Sequence, residues 1–406
     1  MDESPACAPD TKKPHIFFEN LNGVRAAAAF LVVISHIEFH KPDFGLHRIN
    51  GVNLFKLGKV GVIVFFTLSG FLITYLLLAE KANFNKVSIK DFYVRRMLRI
   101  WPLYFLLIVI GFFIYPKIDA SAALWMSVFF VPNVAFSLNL LPVLVDPIWS
   151  IGIEEQFYIF LPHFLRIKKL ENLLYTLLAM LVLYFAAFTF TRHFQYIPGH
   201  ETAFNRYFFY AMYGDMIVGA MIAVLYFNTK NRVFAFKFQK QFNAMFSKPA
   251  QWFYYLLLFG FSWVYITYIL PQGDILIALL SGLIIVNLCE PASSILSLNY
   301  PKLQFLGRIS YGIYLFHKFP IFAALYLSQR YLKVQSTTVQ NLFIYTATLL
   351  VVIALATCSY YGYERYFLNL KKRFQKIRNN DGNGTEVENS NPKAKTLQEP
   401  ALINYV

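Results

Sequence analysis

Apolar residues in this chain come in runs of about 17–23, each long enough to cross a hydrocarbon core of about 30 Å as one helix. The runs fall near 21–41, 58–79, 100–117, 172–191, 207–227, 252–271, 274–290, 309–329 and 341–363. Between 121 and 165 the pattern changes. Two shorter apolar pieces, 121–138 and 148–165, are broken by Pro132, Pro142 and Pro147. There is no internal repeat and no pair of Gly/Pro-broken spans in corresponding halves, a pattern that would point to a transporter. No external connection is long enough to hold a second domain.

Basic residues set the orientation, because Lys and Arg concentrate in cytosolic loops. They crowd 81–99 (Lys81, Lys86, Lys90, Arg95, Arg96, Arg99), 166–169, 230–248 and 371–378. If all four groups face the cytosol, so does the N-terminus, and 119–165 makes an odd number of crossings. One full crossing plus a re-entrant or interfacial piece then gives the expected architecture. This is an all-α, polytopic membrane protein of about ten transmembrane helices, with both termini cytosolic. A short cytosolic segment, 1–16, precedes a membrane domain, 17–375. The polar stretch 376–406 reads as a disordered cytosolic tail. Its sequon, Asn383-Gly384-Thr385, has no meaning on that side of the membrane. The first run holds Arg25 and His36, which no signal-peptide core would carry.

Composition agrees with lipid as the solvent. Of 406 residues, 57% are hydrophobic and 15% charged, too few polar side chains to cover a soluble fold of this size. The net charge of +15 suits topology and anionic headgroups. It does not suit nucleic acid, since the basic residues sit in short loops and not on one folded face. Cys7, Cys289 and Cys358 are far apart and form no CxxC, which supports neither a disulfide framework nor a metal site.

Ionisable groups inside membrane spans are costly, so each is a functional candidate. Arg25 lies near the cytosolic mouth of the first span. His36 follows eleven residues later on the same helical face, about 16 Å deeper. The pair reads either as an anchor and an interhelical hydrogen-bonder or as proton-transfer machinery. Arg96 and Arg99, at i and i+3 where the third span begins, are either anchors or an anion clamp. Glu154 and Glu155, adjacent within an apolar segment, are hard to explain as packing. In a helix Ser150, Glu154 and Tyr158 share one side, and Trp149 lies on another. Asp215 is a further intramembrane acid among small residues, and His317 reads most simply as an interfacial or packing histidine. Ser69 lacks the GxSxG elbow of an activated serine. The residues alone leave an enzyme and a proton-coupled carrier or lipid-linked-sugar flippase equally open, with His36, Asp215 and Glu154 as the relay in the second case.

Taken together the segments resemble the acyltransferase-three family of integral membrane O-acyltransferases. The family opening, Leu-Asp-Gly-Leu-Arg-Ala followed by a histidine, appears as Leu21 to Ala26 and His36. Phe-Phe-x-Leu-Ser-Gly-Phe-Leu-Ile matches Phe65 to Ile73, and Arg-x-x-Arg-Ile-x-Pro matches Arg96 to Pro102. Trp-Ser-x-x-x-Glu-Glu-Gln-Phe-Tyr matches Trp149 to Tyr158, Ser-Tyr-x-x-Tyr-x-x-His matches Ser310 to His317, and a closing Glu-Arg matches Glu364-Arg365. The family's opening Asp is Asn22 here, its frequent second-span Asp is Ile63, and the Pro after the closing pair is Tyr366.

The resemblance implies transfer of an acyl group, usually acetyl, from cytosolic acyl-CoA to a hydroxyl of an extracytoplasmic glycan or lipid-linked sugar. It implies a multi-pass protein of a bacterial inner membrane that modifies cell-envelope polysaccharide. Acetyl-CoA would be a co-substrate, with no tightly bound cofactor and no metal. On this reading Arg25, Arg96 and Arg99 meet the anionic donor. His36 is general base or transient acyl carrier, and Glu154 or Glu155 orients it. Trp149, Ser150, Tyr158, Asp215 and His317 support the site.

Overall fold

The computed structural model describes residues 16–49, 53–114, 120–195, 203–235, 237, 239–268, 273–333, 335–375 and 377. Cys7, all but the last residue of 1–16, and all but residue 377 of the tail with its sequon lie outside the described residues.

Among the described residues there are seventeen α-helices and no strand. In chain order they are α1 (Leu21–His40), α2 (Leu57–Phe84), α3 (Ile89–Ile114), α4 (Ala120–Val128), α5 (Pro132–Ser137), α6 (Ile148–Phe164), α7 (Leu170–Gln195), α8 (Ala203–Tyr210) and α9 (Tyr213–Asn231). They continue with α10 (Gln239–Ala244), α11 (Lys248–Tyr268), α12 (Gly273–Leu288), α13 (Pro301–Arg308), α14 (Ser310–Phe316), α15 (Lys318–Tyr331), α16 (Thr337–Ser359) and α17 (Arg365–Lys371).

Among the described residues six segments are long and apolar enough to cross a membrane: Leu21–Phe44, Leu54–Phe84, Ile89–Phe113, Leu170–Phe190, Arg206–Asn231 and Thr337–Phe374. Large apolar side chains stand outward on these helices, among them Phe113 (83% exposed), Leu183 (68%) and Leu350 (65%). Such a surface matches hydrocarbon, and the chain is a multi-pass membrane protein. α2 is the central helix, packed along α1, α9 and α12, and α1 also meets α13, α14 and α15.

Four details depart from simple spans, and prolines account for two. Residues 120–165 fold as α4 and α5, joined by a tight turn with Phe130 left-handed (φ 58°), and then α6 after Pro142 and Pro147. The apolar run 309–329 is split at His317 into α14 and α15. Pro320 has no N–H to return to the carbonyl of Phe316, so the ladder is interrupted there. The third span begins earlier than its apolar core, at Ile89, which brings Arg95, Arg96 and Arg99 into α3 itself. At the C-terminal end α16 passes through a π-helical turn, Tyr360–Glu364, that points Glu364 inward (8% exposed) and leaves Arg365 outside.

Candidate functional site

A cavity opens between α1, α2, α3, α6 and α14. It is bordered by Arg25, Ser69, Arg96, Arg99, Glu154 and Tyr158 at its polar end, and by Phe65, Ser150 and Tyr314 at the other. Helical spacing makes this arrangement. Arg96 and Arg99 sit three residues apart on α3, and Ser150, Glu154 and Tyr158 recur every four residues on α6, so each set shares one face. Arg95, one position off, turns away to ion-pair with Glu80 at 3.0 Å and to donate to the Phe374 carbonyl at 2.9 Å. The cavity wall therefore carries three guanidinium groups against one carboxylate, an excess that suits an anion.

Glu154 is held by hydroxyls: Ser69 Oγ donates to it at 3.2 Å and Tyr158 OH at 3.3 Å. The Arg25 guanidinium donates to Asn22 Oδ1 at 3.0 Å, and that of Arg96 lies 5.7 Å from the Tyr158 ring centre. At the far end Ser150 Oγ and Tyr314 OH are 2.8 Å apart, and the Tyr314 ring stands edge-on to Phe65. Behind Tyr314 lie the histidines. His317 Nδ1 donates to the Tyr314 carbonyl at 2.6 Å, and His317 Nε2 is 3.1 Å from His36 Nδ1. The His40 ring stacks over His36 with centres 6.2 Å apart and is held by Asp43 at 2.8 Å. Next to His317, Lys318 pairs with Asp146 at 2.6 Å.

The residues singled out in the sequence thus fall into several groups. Arg25, Arg96, Arg99, Ser150, Glu154 and Tyr158 line one cavity. His36 and His317 are not among its lining residues; they meet behind Tyr314. Glu155 points elsewhere, accepting from Trp101 Nε1 at 3.2 Å. The hydrogen bonds of the two glutamates run to Ser69, Tyr158 and Trp101, whereas His36 meets Val32 and His317. Trp149 belongs to an aromatic cluster with Phe66, Phe136 and Tyr210. Asp215 (1% exposed) stands apart on α9, beside the Lys59–Asp274 ion pair. Sequence reasoning passed over Tyr314, Lys318, Asp146 and His40. Tyr314 and His317 stand three residues apart in one motif, and an intramembrane lysine directly after an intramembrane histidine was a usable signal. Among the described residues no group of three or more His, Cys, Asp or Glu side chains is arranged to hold a metal ion.

The acyltransferase domain family matches residues 18–361, which is most of the chain, and the chain belongs to that family. Curated relatives include the peptidoglycan O-acetyltransferase OatA of Listeria monocytogenes, 27% identical over 334 residues, covering 77% of this chain and 50% of that protein. YrhL of Bacillus subtilis, provisionally assigned the same activity, is 27% identical over 327 residues, or 75% of this chain and 48% of that one. A candidate O-acetyltransferase of Staphylococcus aureus is 27% identical over 338 residues, 74% and 50% of the respective chains. The chain spans about half the length of the curated relatives it matches. No solved structure matches it significantly.

Proposed function

We propose that this member of the acyltransferase domain family moves an acetyl group from cytosolic acetyl-CoA to a hydroxyl of an envelope glycan outside the membrane. The observation that carries the reading is the cavity with three arginines on its wall and, behind Tyr314 of the same wall, the His317–His36 pair bonded to the Tyr314 carbonyl. The names of the relatives supply the acceptor class, and peptidoglycan is the first acceptor to try.

The membrane domain crosses ten times with both termini in the cytosol, α4 and α5 forming the re-entrant piece. The arginine end then faces the cytosol and the histidine end faces outward in a bacterial inner membrane. Arg96 and Arg99 bind donor phosphates, and Arg25 on the same wall meets the donor with them. The acceptor oxygen attacks the thioester carbonyl carbon while His36 Nε2 takes its proton. The C–S bond breaks, and the proton passes on to the departing thiolate, so thioester and alcohol become ester and CoA thiol. Glu154, between Ser69 and Tyr158, balances the arginine charge when donor is absent.

The test is thiol release from acetyl-CoA by purified protein in lipid nanodiscs with muropeptide acceptors, alongside His36→Ala. Acceptor-dependent release that His36→Ala abolishes supports the reading. Release unaffected by that substitution removes His36 from the mechanism. Movement of a lipid-linked sugar across vesicles without acyl-CoA would favour a carrier instead.

A further inference from the structure

We propose that His317 is the positioning residue of His36, accepting its Nδ1–H and thereby directing His36 Nε2 to the substrate as the free base. The inference rests on the reading of His36 as general base.

The argument starts from groups that can only accept. His317 is fully buried, at the break between α14 and α15, and its Nδ1 lies 2.6 Å from the Tyr314 carbonyl oxygen. A carbonyl oxygen has no proton to give, so the hydrogen sits on His317 Nδ1, and the neutral ring presents a lone pair at Nε2. That lone pair is 3.1 Å from His36 Nδ1. His36 Nδ1 is also 3.0 Å from the Val32 carbonyl oxygen, a second acceptor, so it too carries its hydrogen and shares it between the two. The remaining lone pair of His36 is on Nε2. His36 is only partly buried, and both of its hydrogen bonds among the described residues are made by Nδ1.

When Nε2 takes a proton, the ring becomes an imidazolium and its Nδ1–H bond to His317 becomes charge-assisted and stronger. His317 therefore does for His36 what a carboxylate does in a serine-type triad, holding orientation and tautomer and sharing the new charge, but as a neutral acceptor. The charged neighbours fit a site where positive charge comes and goes. Lys318, adjacent to His317, is neutralised by Asp146 at 2.6 Å, and His40, stacked on His36, is held by Asp43.

The experiment compares His317→Leu, His317→Gln and His36→Ala in full-length protein in nanodiscs, measuring acetyl transfer with monodispersity and melting temperature as fold checks. Leucine fills a similar volume and accepts nothing. Glutamine can accept from His36 through Oε1 and donate to Tyr314 through Nε2. We expect His317→Leu to lower kcat on the order of 100-fold with KM for acetyl-CoA changed less than about twofold, and His317→Gln to recover about tenfold of that loss. A packing role predicts the reverse order, so leucine matching or exceeding glutamine overturns the proposal. If His36→Ala stays active, the base reading itself falls. If His36→Ala is dead while His317→Leu is fully active, only this inference falls. A second measurement does not depend on His317 variants folding. In the 15N spectrum of histidine-labelled protein, with the His36 signal assigned by its loss in His36→Asn, Nδ1 should be protonated and Nε2 bare. The opposite tautomer overturns the proposal.

Discussion

Gly70 on α2 lies so close to the Met216 carbonyl on α9 that a Cβ added to it would stand 2.0 Å from that oxygen. Gly219 makes the reciprocal approach, 2.1 Å from the Thr67 carbonyl. Two backbones in such contact cannot yield by rotating a side chain, and this is how a membrane bundle brings helices together without a hydrophobic driving force between them. The contact also fixes Ser69, next to Gly70, against Glu154. Gly70→Ala and Gly219→Ala should each destabilise the protein by at least the roughly 1–3 kcal/mol typical of overpacking. Gly260→Ala and Gly362→Ala, where nothing lies within 4 Å, should not. Thermal unfolding in nanodiscs checks this, and equal melting temperatures for all four would mean that α2 and α9 separate easily.

Arg96 and Arg99 offer a second test, read from kinetics. Hydrogen bonds to charged groups are worth about 1.5–3 kcal/mol, so Arg96→Gln or Arg99→Gln should raise KM for acetyl-CoA about tenfold or more. The lysine substitutions should recover only part, because a point charge cannot make the planar two-donor contact. Arg95→Gln should leave KM nearly unchanged, since Arg95 is occupied by Glu80 and Phe374. Equal effects at all three positions would make the change one of general charge.

Helical spacing made part of this site legible in the sequence. Arg96 with Arg99, and Ser150 with Glu154 and Tyr158, could be assigned to common faces before any tertiary contact was known, and these faces turn into one cavity. Pairings across the chain were not legible. His36 meets His317 from 281 residues away, and Lys318 meets Asp146 across 172, distances at which local pattern carries no information. Glu155 resembled Glu154 in composition, but one residue is about 100° of helix, enough to send it to Trp101 instead. The break that seats His317 was encoded locally by Pro320, within a run over 309–329 otherwise apolar enough to read as one span.

The buried pair of Glu38 and Lys41 yields a prediction about stability alone. Both side chains are almost fully enclosed, and Lys41 also donates to Asn341 Oδ1 at 2.7 Å while Glu38 accepts from Tyr345 OH at 2.7 Å. The C-terminal end of α1 is thereby tied to α16. Removing one member of a buried pair leaves an uncompensated charge, worth about 3–5 kcal/mol, whereas removing both can be nearly neutral. Lys41→Met should therefore unfold at a clearly lower temperature than the double variant Glu38→Gln/Lys41→Met. A double variant no more stable than Lys41→Met would show that the hydrogen bonds, not the charges, hold this corner.

Orientation in the membrane can be tested with two single cysteines. Asp43 follows α1 and its side chain is 58% exposed, and Lys168 is exposed in the turn after α6. Between them the chain passes through α2, α3 and the region 119–165. If that region crosses an odd number of times, the two positions lie on opposite faces of the membrane. In a background with Cys7, Cys289 and Cys358 replaced, Asp43→Cys should react with a membrane-impermeant maleimide in intact cells, and Lys168→Cys only after lysis. Reaction of both from outside would mean that 119–165 returns to the face it left. The reversed pattern would open the arginine end of the cavity to the outside, where cytosolic acetyl-CoA cannot reach it, and the proposed direction of transfer would fail with it.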